Sequence, residues 1–207
     1  MSDFPIMLKV RGRRCVVVGG GGVAARRART LRDAGAEVLV VAPEVDPAID
    51  ELAIAIERRP YQTNDLDGAR LVVAATDDRE LNDRIARDAE ARGVLVNRAD
   101  VPGAGDFSVP AHAHHGPVTI AADTSGISAS AAAKIRRSLS EALDPDWPRL
   151  LECARPFRAE VQQRFADPQE RQDRLRRLTD EDAMAMLKAR GDEALRERCR
   201  RIARGET

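Results

Sequence analysis

The sequence predicts an α/β fold, and two observations in roughly its first hundred residues support this. Short apolar runs alternate with stretches in which apolar residues recur every three or four positions, as strands and helices do. The first apolar run, Cys15 to Val18, leads into four consecutive glycines and then directly into a helical pattern. A strand, a tight turn and a helix in that order are typical of a Rossmann-like parallel sheet, which we expect for residues 1–110.

The glycine run fits the dinucleotide fingerprint G-x-G-x-x-G/A at Gly19, Gly21 and Ala24. Gly19 can adopt backbone angles that a side chain forbids, and Gly21 lets a pyrophosphate approach the main chain. Ala24 lets the helix pack closely on the strand, while the helix N-terminus offers free N–H groups to the phosphates. The alternative is a glycine-rich turn without a ligand. The flanking strand and helix, and a second strand at Glu37 to Ala42, favour the nucleotide site.

The second strand ends at Ala42-Pro43-Glu44. An acidic residue about 20 positions beyond the glycines commonly binds the ribose hydroxyls of NAD. No Lys or Arg lies between Pro43 and Leu52 to receive a 2′-phosphate. We therefore expect the cofactor to be NAD rather than NADP. The alternative is that Glu44 is a solvated loop acid.

Three further strands are expected, at Ala53 to Ile56, Arg70 to Ala75 and Val94 to Val96. Parallel sheets of this kind hold ligands at the carboxyl ends of their strands. The fourth strand delivers Thr76 to that edge, and the fifth delivers Asn97 and Asp100. Thr76 and Asn97 are candidate cofactor contacts. Asp77, with Glu80 three residues on, resembles a capping box, so Asp77 and Asp78 are interpreted as helix caps.

The pattern changes after about residue 106. Asp106 to Val109 and Val118 to Ala122 are expected as two more strands, and a run of small and hydroxyl residues then leads into a helix. That helix carries apolar residues on one face, at Ile135, Leu139 and Leu143. From about Trp147 the chain is helical and heavily charged. We therefore divide it into residues 1–110, a β/α segment at 111–146 and a helical region at 147–207.

Three histidines, His112, His114 and His115, lie in the segment that joins those two strands. Two histidines at positions i and i+2 of a strand share a face, so a metal site is geometrically possible. We interpret the three as part of an exposed hairpin and expect no metal site.

Composition narrows the class of protein. Lys and Arg total 34 and so do Asp and Glu, and only 3% of residues are aromatic, which argues against a nucleic-acid binder. No apolar run approaches the roughly 20 residues of a membrane span, and we see no signal peptide. The three cysteines are far apart, which indicates reduced thiols without disulfides or zinc. We expect a cytoplasmic protein that binds neither nucleic acid nor membrane.

Several motifs outside the glycine loop agree with one known family. They are Phe4-Pro-Ile, Val17-Val-Gly-Gly-Gly-Gly-Val-Ala-Ala-Arg26, Ala74-Ala-Thr-Asp-Asp78, Glu80-Leu-Asn82, Val96-Asn-Arg-Ala-Asp100, Asp106-Phe107, Pro110-Ala111 and Gly116-Pro-Val-Thr-Ile-Ala121. With these motifs in order, essentially the whole chain resembles the precorrin-2 dehydrogenase family. That family includes the N-terminal half of siroheme synthase and the stand-alone dehydrogenase/ferrochelatases.

The resemblance implies NAD-dependent oxidation of precorrin-2 to sirohydrochlorin in siroheme biosynthesis, followed in some members by insertion of ferrous iron. It also implies a homodimer built by the segment at 111–146, with an active site that borders both subunits. From the length we expect no fused methyltransferase domain. Two other functions stay open: a non-catalytic NAD or tetrapyrrole sensor, and a chelatase without a working cofactor site.

The resemblance also assigns residues. Gly22, Val23, Pro43 and Glu44 match positions that hold the cofactor, and Ala75 and Thr76 lie in the matching motif at the end of the fourth strand. Asp100 matches the catalytic aspartate. A carboxylate there can accept the proton that leaves the macrocycle as the hydride moves, and could also accept pyrrole protons during chelation. The alternative for Asp100 is a turn or cap acid.

Thr124 falls where a serine stands in the bifunctional synthases. Because the substrate carries many carboxylates, Thr124, Ser125 and Ser128 are the candidate substrate contacts, with Lys134 and Arg136 nearby in sequence. The alternative is an ordinary helix start and a solvated face. The family's usual Gly-Gly and Ser-Pro appear here as Ser125-Gly126 and Ser128-Ala129, which leaves the dehydrogenase interpretation intact and leaves chelation open.

Overall fold

A computed structural model describes residues 3–101 and 103–206 of the chain. They form two compact units. The first runs to Val109 and includes Ser125–Ile127, and the second comprises Pro110–Thr124 and the residues from Ser128 onward. The expected boundaries at residues 110 and 146 stay predictions.

The first unit is built on a parallel sheet of five strands in the order β3-β2-β1-β4-β5. The strands are β1 (Arg14–Val18), β2 (Glu37–Val41), β3 (Ala55–Glu57), β4 (Leu71–Ala74) and β5 (Leu95–Arg98). The helices are α1 (Gly22–Asp33), α2 (Pro47–Asp50) and α3 (Arg79–Glu90), and a 3-10 turn spans Thr63–Leu66. The predicted Rossmann-like sheet is therefore confirmed, and the strand order reverses direction between β1 and β4.

Both faces of this sheet are buried, which explains the nearly unbroken apolar strands. Val17 and Val40 pack on the face that α1 covers, together with Ala24 of that helix. Val16 and Val72 pack on the opposite face, together with Ile85 of α3. Successive strand residues point to opposite faces, so a strand covered on both sides needs apolar residues at every position.

The expected strand at Asp106 to Val109 is wrong. Side chains fasten this segment to β5 in place of a ladder. The Asp106 carboxylate accepts a hydrogen bond from the Val96 N–H at 2.9 Å, and the Asn97 amide donates to the Phe107 carbonyl at 2.8 Å. The backbone adds an isolated bridge between Asn97 and Gly105 and a hydrogen bond from the Asp106 N–H to the Val96 carbonyl at 2.7 Å.

The second unit begins with an antiparallel hairpin of β6 (Ala111–His115) and β7 (Val118–Ala122), so the histidine segment is itself a strand. Four helices follow, namely α4 (Ala129–Ala142), α5 (Asp146–Arg164), α6 (Pro168–Arg177) and α7 (Glu181–Arg204). The last three share a core that includes Leu150, Phe157 and Leu187. Within the described ranges, no helix is long and apolar enough to cross a membrane.

All three cysteines are buried, Cys15 in β1 and Cys153 and Cys199 in the helical core. Burial raises the pKa of the Cys15 and Cys199 thiols to about 11. The thiolate is the reactive form of cysteine, so these groups are protonated and unreactive near neutral pH in the folded protein.

Candidate active site

A cleft of about 450 Å³ lies at the carboxyl ends of β1, β2 and β4. Eight of the ten cofactor residues expected from the sequence line it: Gly19, Gly21, Gly22, Val23, Pro43, Glu44, Ala75 and Thr76. This is the place where the strand order reverses, and open α/β sheets hold ligands at such a point.

Two glycines allow three backbone segments to meet beneath the cleft. Gly19 has a φ of +127°, and a Cβ there would lie 2.3 Å from the Ala75 carbonyl oxygen. A Cβ on Gly20 would lie 1.8 Å from the Glu44 carbonyl oxygen. The sequence interpretation identified Gly19 but passed over Gly20, whose only signal was its place in the run of four glycines.

Gly21 differs from Gly19 and Gly20 because a Cβ there would meet no atom of the described residues within 4 Å. It is the N-cap of α1, and within the described part of the chain no side chain caps this helix and its first turn carries no acid. The first N–H groups of a helix have no partner within the helix. Together with the helix dipole, they make the open space above Gly21 suitable for a phosphate.

Pro43 and Glu44 are exposed where β2 ends, on the rim of the cleft. Pro60, Tyr61, Asp77 and Leu81, none of which the sequence indicated as ligands, also line it.

Tyr61 is a fixed part of this wall. Its hydroxyl donates to Asp88 at 3.1 Å, and Thr63 donates to the same carboxylate oxygen at 2.9 Å. Burial, together with the hydrogen bond to Asp88, raises the pKa of Tyr61. The phenol therefore stays neutral and presents a rigid ring to the cleft.

Two expected cofactor residues do not line the cleft. Ala24 is buried against the sheet, where its small side chain serves helix packing. Asn97 is buried beneath the loop that follows β5, and its Oδ1 atom has no hydrogen-bond partner within residues 3–101 and 103–206. The cap of α3 is Asp78, whose carboxylate accepts the N–H groups of Glu80 and Leu81, whereas Asp77 lines the cleft.

Thr76 is held by a residue whose role the sequence did not indicate. The fully buried Asn82 accepts the Thr76 hydroxyl at 2.8 Å and donates through Nδ2 to the Thr76 carbonyl at 2.9 Å. The Thr76 N–H also points to the Asn82 oxygen at 3.3 Å. These contacts fix the orientation of the Asn82 amide and hold the floor of the cleft to α3.

Asp100 lies just beyond β5 and is bound side-on by Arg98. The Arg98 Nε and Nη2 atoms donate to the two Asp100 oxygens at 3.1 and 2.6 Å, and Nη1 donates to Asp83 of α3. The Arg98 hydrogen bond, with a contribution from the Asn82 amide, outweighs desolvation and holds the pKa of Asp100 below its usual range. Asp100 is therefore an ionised carboxylate at neutral pH and can accept a proton.

The segment of candidate substrate contacts contains a helix start. The Thr124 hydroxyl donates to the Ser128 carbonyl and accepts the Ser128 N–H, both at 3.1 Å. The Ser128 hydroxyl caps α4 by accepting the Ala131 N–H at 3.2 Å. Ser125 has a φ of +51°, and Lys134 and Arg136 follow on α4. Ser128 therefore serves as the N-cap of a helix, which was the alternative to a substrate contact. A substrate role for Thr124, Ser125 and Ser128 stays a prediction.

The histidines lie on β6 and contact local groups. His112 Nδ1 lies 3.0 Å from the Pro110 carbonyl oxygen, and His114 Nδ1 lies 3.1 Å from the Thr119 hydroxyl. Among the residues that the structure describes, no group of three His, Cys, Asp or Glu side chains could hold a metal ion.

Comparison with known proteins agrees with this geometry. Residues 6–111 match a family model described as "Putative NAD(P)-binding". The chain is 42% identical over 198 residues to the siroheme synthase of Chromobacterium violaceum, covering 94% of this chain and 42% of that protein. It is 40% identical over 173 residues to the siroheme synthase of Ectopseudomonas mendocina, covering 83% and 37%. The chain thus spans about two fifths of the length of these relatives.

A solved structure of similar fold is titled "SirC, precorrin-2 dehydrogenase". It superposes with a TM-score of 0.76 at 24% sequence identity, covering 96% of this chain and 100% of that chain. The likeness extends the agreement in fold from the parallel sheet to the helical remainder of the chain.

Proposed function

This chain belongs to that NAD(P)-binding family, and on this premise we propose that it oxidises precorrin-2 to sirohydrochlorin with NAD as the hydride acceptor. The observation that carries the proposal is the presence, in one unit, of a nucleotide-sized cleft and an ionised carboxylate after the neighbouring strand. The similarity to siroheme synthases supports the choice of substrate. The reaction would be one step of siroheme biosynthesis.

The cleft offers open space and hydrogen-bond donors for a dinucleotide. Gly21 leaves open space in front of the N–H groups of α1, where a pyrophosphate would bind. Glu44, on the rim, would accept hydrogen bonds from the ribose hydroxyls. A 2′-phosphate would lie against the same carboxylate and be repelled by it, which supports NAD over NADP. When bound, NAD supplies the site that receives the hydride.

In this reaction, the protein's own residues would remove a proton from the substrate. Oxidation of the macrocycle releases a hydride and a proton, and the Asp100 carboxylate would accept the proton. Its low pKa keeps it ionised, and the Arg98 contacts hold both of its oxygens. We propose Asp100 as the general base, with Thr124, Ser125 and Ser128 as the groups that bind substrate carboxylates.

Insertion of ferrous iron would be a second activity at the same base. It removes two pyrrole protons as the metal, here a substrate, enters the ring, and Asp100 would accept them in turn. The family's usual Gly-Gly and Ser-Pro are replaced here by Ser125-Gly126 and Ser128-Ala129, which leaves iron insertion open. Iron insertion therefore needs a measurement of its own.

We propose that the protein is a homodimer that pairs through α4. Ala132 on this helix is buried, whereas Ile135 and Leu139 are 47% and 49% exposed. These two residues lie one turn apart and so share a face, and a second copy of the chain would cover it. We also propose a cytoplasmic location, which the three buried thiols support.

The test is a set of anaerobic absorbance spectra of the purified protein with precorrin-2, with and without NAD, followed by ferrous iron. An NAD-dependent conversion to the sirohydrochlorin spectrum is expected. A further change on adding iron, faster than in a control without protein, would add the chelatase. With intact substrate, no NAD-dependent change together with NAD binding would indicate a sensor, and iron insertion alone would indicate a chelatase.

A further inference from the structure

Arg98 stands between two carboxylates at the end of β5. It donates to Asp100 through Nε and Nη2 and to Asp83 through Nη1. Its side chain is 10% exposed, and those of Asp100 and Asp83 are 22% and 44% exposed. An arginine whose donors are engaged on both sides is poorly placed to bind a substrate carboxylate. Its contacts therefore indicate a role inside the protein.

The three side chains carry a net negative charge, because one guanidinium faces two carboxylates. Asp83 is the more exposed carboxylate and anchors the outer edge of Arg98 to α3. The other edge of Arg98 grips Asp100 through both oxygens, a side-on geometry that fixes the carboxylate plane. Asp100 therefore keeps a negative charge for proton transfer, and Arg98 fixes the orientation of its carboxylate.

The same helix also holds the nucleotide cleft. Asn82, next to Asp83, is fully buried and bonds Thr76 at the floor of the cleft. Two adjacent residues of α3 thus hold the end of β4 through Thr76 and the end of β5 through Arg98. A displacement of α3 would move the cleft floor and the carboxylate together.

We propose that Arg98, anchored by Asp83, is the positioning residue that fixes the orientation of the Asp100 carboxylate and places a positive charge beside it. The inference rests on the proposed function, in which Asp100 is the base. Of the described groups, the charged ones around Asp100 are Arg98 from β5 and, through Arg98, Asp83 from α3, while Asn82 supplies a neutral amide.

Two variants of Arg98 separate charge from geometry. Arg98→Met removes the charge and keeps much of the apolar stem, while Arg98→Lys keeps the charge but cannot grip both oxygens. Arg32→Met is the matched control, because Arg32 binds Asp33 through Nε and Nη2 at 2.9 and 2.7 Å on the same unit. The Asp100 pKa is read by NMR of 13C-labelled carboxyl groups, assigned with Asp100→Asn.

Arg98→Met is expected to raise the proton affinity of Asp100 by about tenfold or more, since an adjacent guanidinium lowers a carboxyl pKa by 1–3. The acidic limb of the pH profile of kcat for precorrin-2 oxidation should shift to higher pH by the same amount, while the Kd for NAD stays unchanged. Arg98→Lys should keep the Asp100 pKa below its usual range and recover part of kcat. Arg32→Met should alter neither the Asp100 pKa nor kcat.

An Asp100 pKa in folded Arg98→Met equal to that of the parent protein would overturn the proposal. So would a lysine variant that matches the methionine variant in both pKa and kcat. If Arg98→Met does not fold, the carboxyl titration of Arg98→Lys decides, because an ordinary or raised Asp100 pKa there contradicts the role. If even the parent protein does not oxidise precorrin-2, the proposed function fails while the titration still tests Arg98.

Discussion

Gly20 lies so close to Glu44 that a Cβ on Gly20 would stand 1.8 Å from the Glu44 carbonyl oxygen. Gly20→Ala should therefore push the end of β2 away from the glycine loop. We expect it to lower the free energy of unfolding by about 1–3 kcal/mol and to weaken NAD binding. Thermal unfolding and an NAD titration would measure the two effects.

Gly22→Ala is the matched control for this change. Among the described residues, a Cβ on Gly22 would meet only the Arg26 Nη1 atom, at 3.9 Å, and Gly22 is the first residue of α1. Its stability should be unchanged or slightly higher, because alanine loses less backbone entropy on folding. Equal behaviour of the two variants would contradict the close approach of Gly20 and Glu44.

Asp100→Asn removes the proposed base without changing the size of the side chain. We expect precorrin-2 oxidation to fall by about 100-fold or more, because general-base catalysis contributes rates of that order. The Kd for NAD should stay unchanged, since Asp100 does not line the cleft. Stopped-flow absorbance would follow turnover, with Asp67→Asn, a carboxylate that is 69% exposed, as the control. Near-normal turnover by Asp100→Asn would remove the assigned role.

Glu44 should determine the choice between the two nicotinamide cofactors. Glu44→Gln is expected to weaken NAD binding by about tenfold, because it replaces a charged acceptor of ribose hydroxyls by a neutral one. The same change should strengthen NADP binding by lifting a like-charge repulsion. Parallel titrations with both cofactors would show this, and Glu51→Gln, an exposed acid outside the cleft, serves as the control. An unchanged ratio of the two affinities would refute it.

Asp65 should make stability depend on pH. Burial raises its pKa, but Arg59, at 2.9 and 2.6 Å, and the Gln62 N–H, at 2.8 Å, outweigh burial and lower the pKa overall. A carboxyl whose pKa is lower in the folded state adds stability above its unfolded pKa, about 3.9, and loses it as the pH falls through the folded value.

The Tm difference between the parent protein and Asp65→Asn should therefore be largest near neutral pH and shrink below about pH 4. Differential scanning calorimetry from pH 7 to pH 3 would measure it. Asp50→Asn is the control, because its partner Arg58 and Asp50 itself are about half exposed. A Tm difference that grows on acidification would have the wrong sign for this contribution.

Ile135→Glu places a charge on the exposed face of α4. If a second copy covers this face, the variant should sediment as a monomer where the parent protein sediments as a dimer, because a charge buried without a partner is costly. Arg137→Glu changes charge on the same helix outside the apolar pair and should leave the dimer intact. Analytical ultracentrifugation at matched concentrations separates these outcomes. A dimeric Ile135→Glu would place any interface elsewhere.

The sheet of the first unit was predictable because burial on both faces leaves a direct mark on composition. Val16 to Val18 and Val38 to Val41 are apolar without interruption, as a strand covered on both sides requires. The cleft was predictable for a related reason. The backbone at Gly19 demands a residue without a side chain, and that demand is visible in the sequence.

Contacts that depend on distant side chains were not predictable. Phe107-Ser-Val109 has the composition of a strand, but side chains take the place of a ladder: Asn97 donates to the Phe107 carbonyl, and the Asp106 carboxylate accepts the Val96 N–H of β5. The same limit hid Asn82, because a polar residue on a helix gives no sign that it will be buried against Thr76. Asn97 shows the converse, since it lies near the carboxyl end of β5 yet donates to the Phe107 carbonyl and does not line the cleft.

Each unit contains a buried thiol whose chemical labelling can measure how often that unit unfolds. Cys15 sits at the centre of the parallel sheet, while Cys153 and Cys199 sit in the helical core. Because these thiols are protonated and shielded when folded, an alkylating reagent at neutral pH modifies them only when the surrounding structure opens. The rates of labelling at Cys15 and at Cys199 therefore measure separately how often the nucleotide-binding unit and the helical unit unfold.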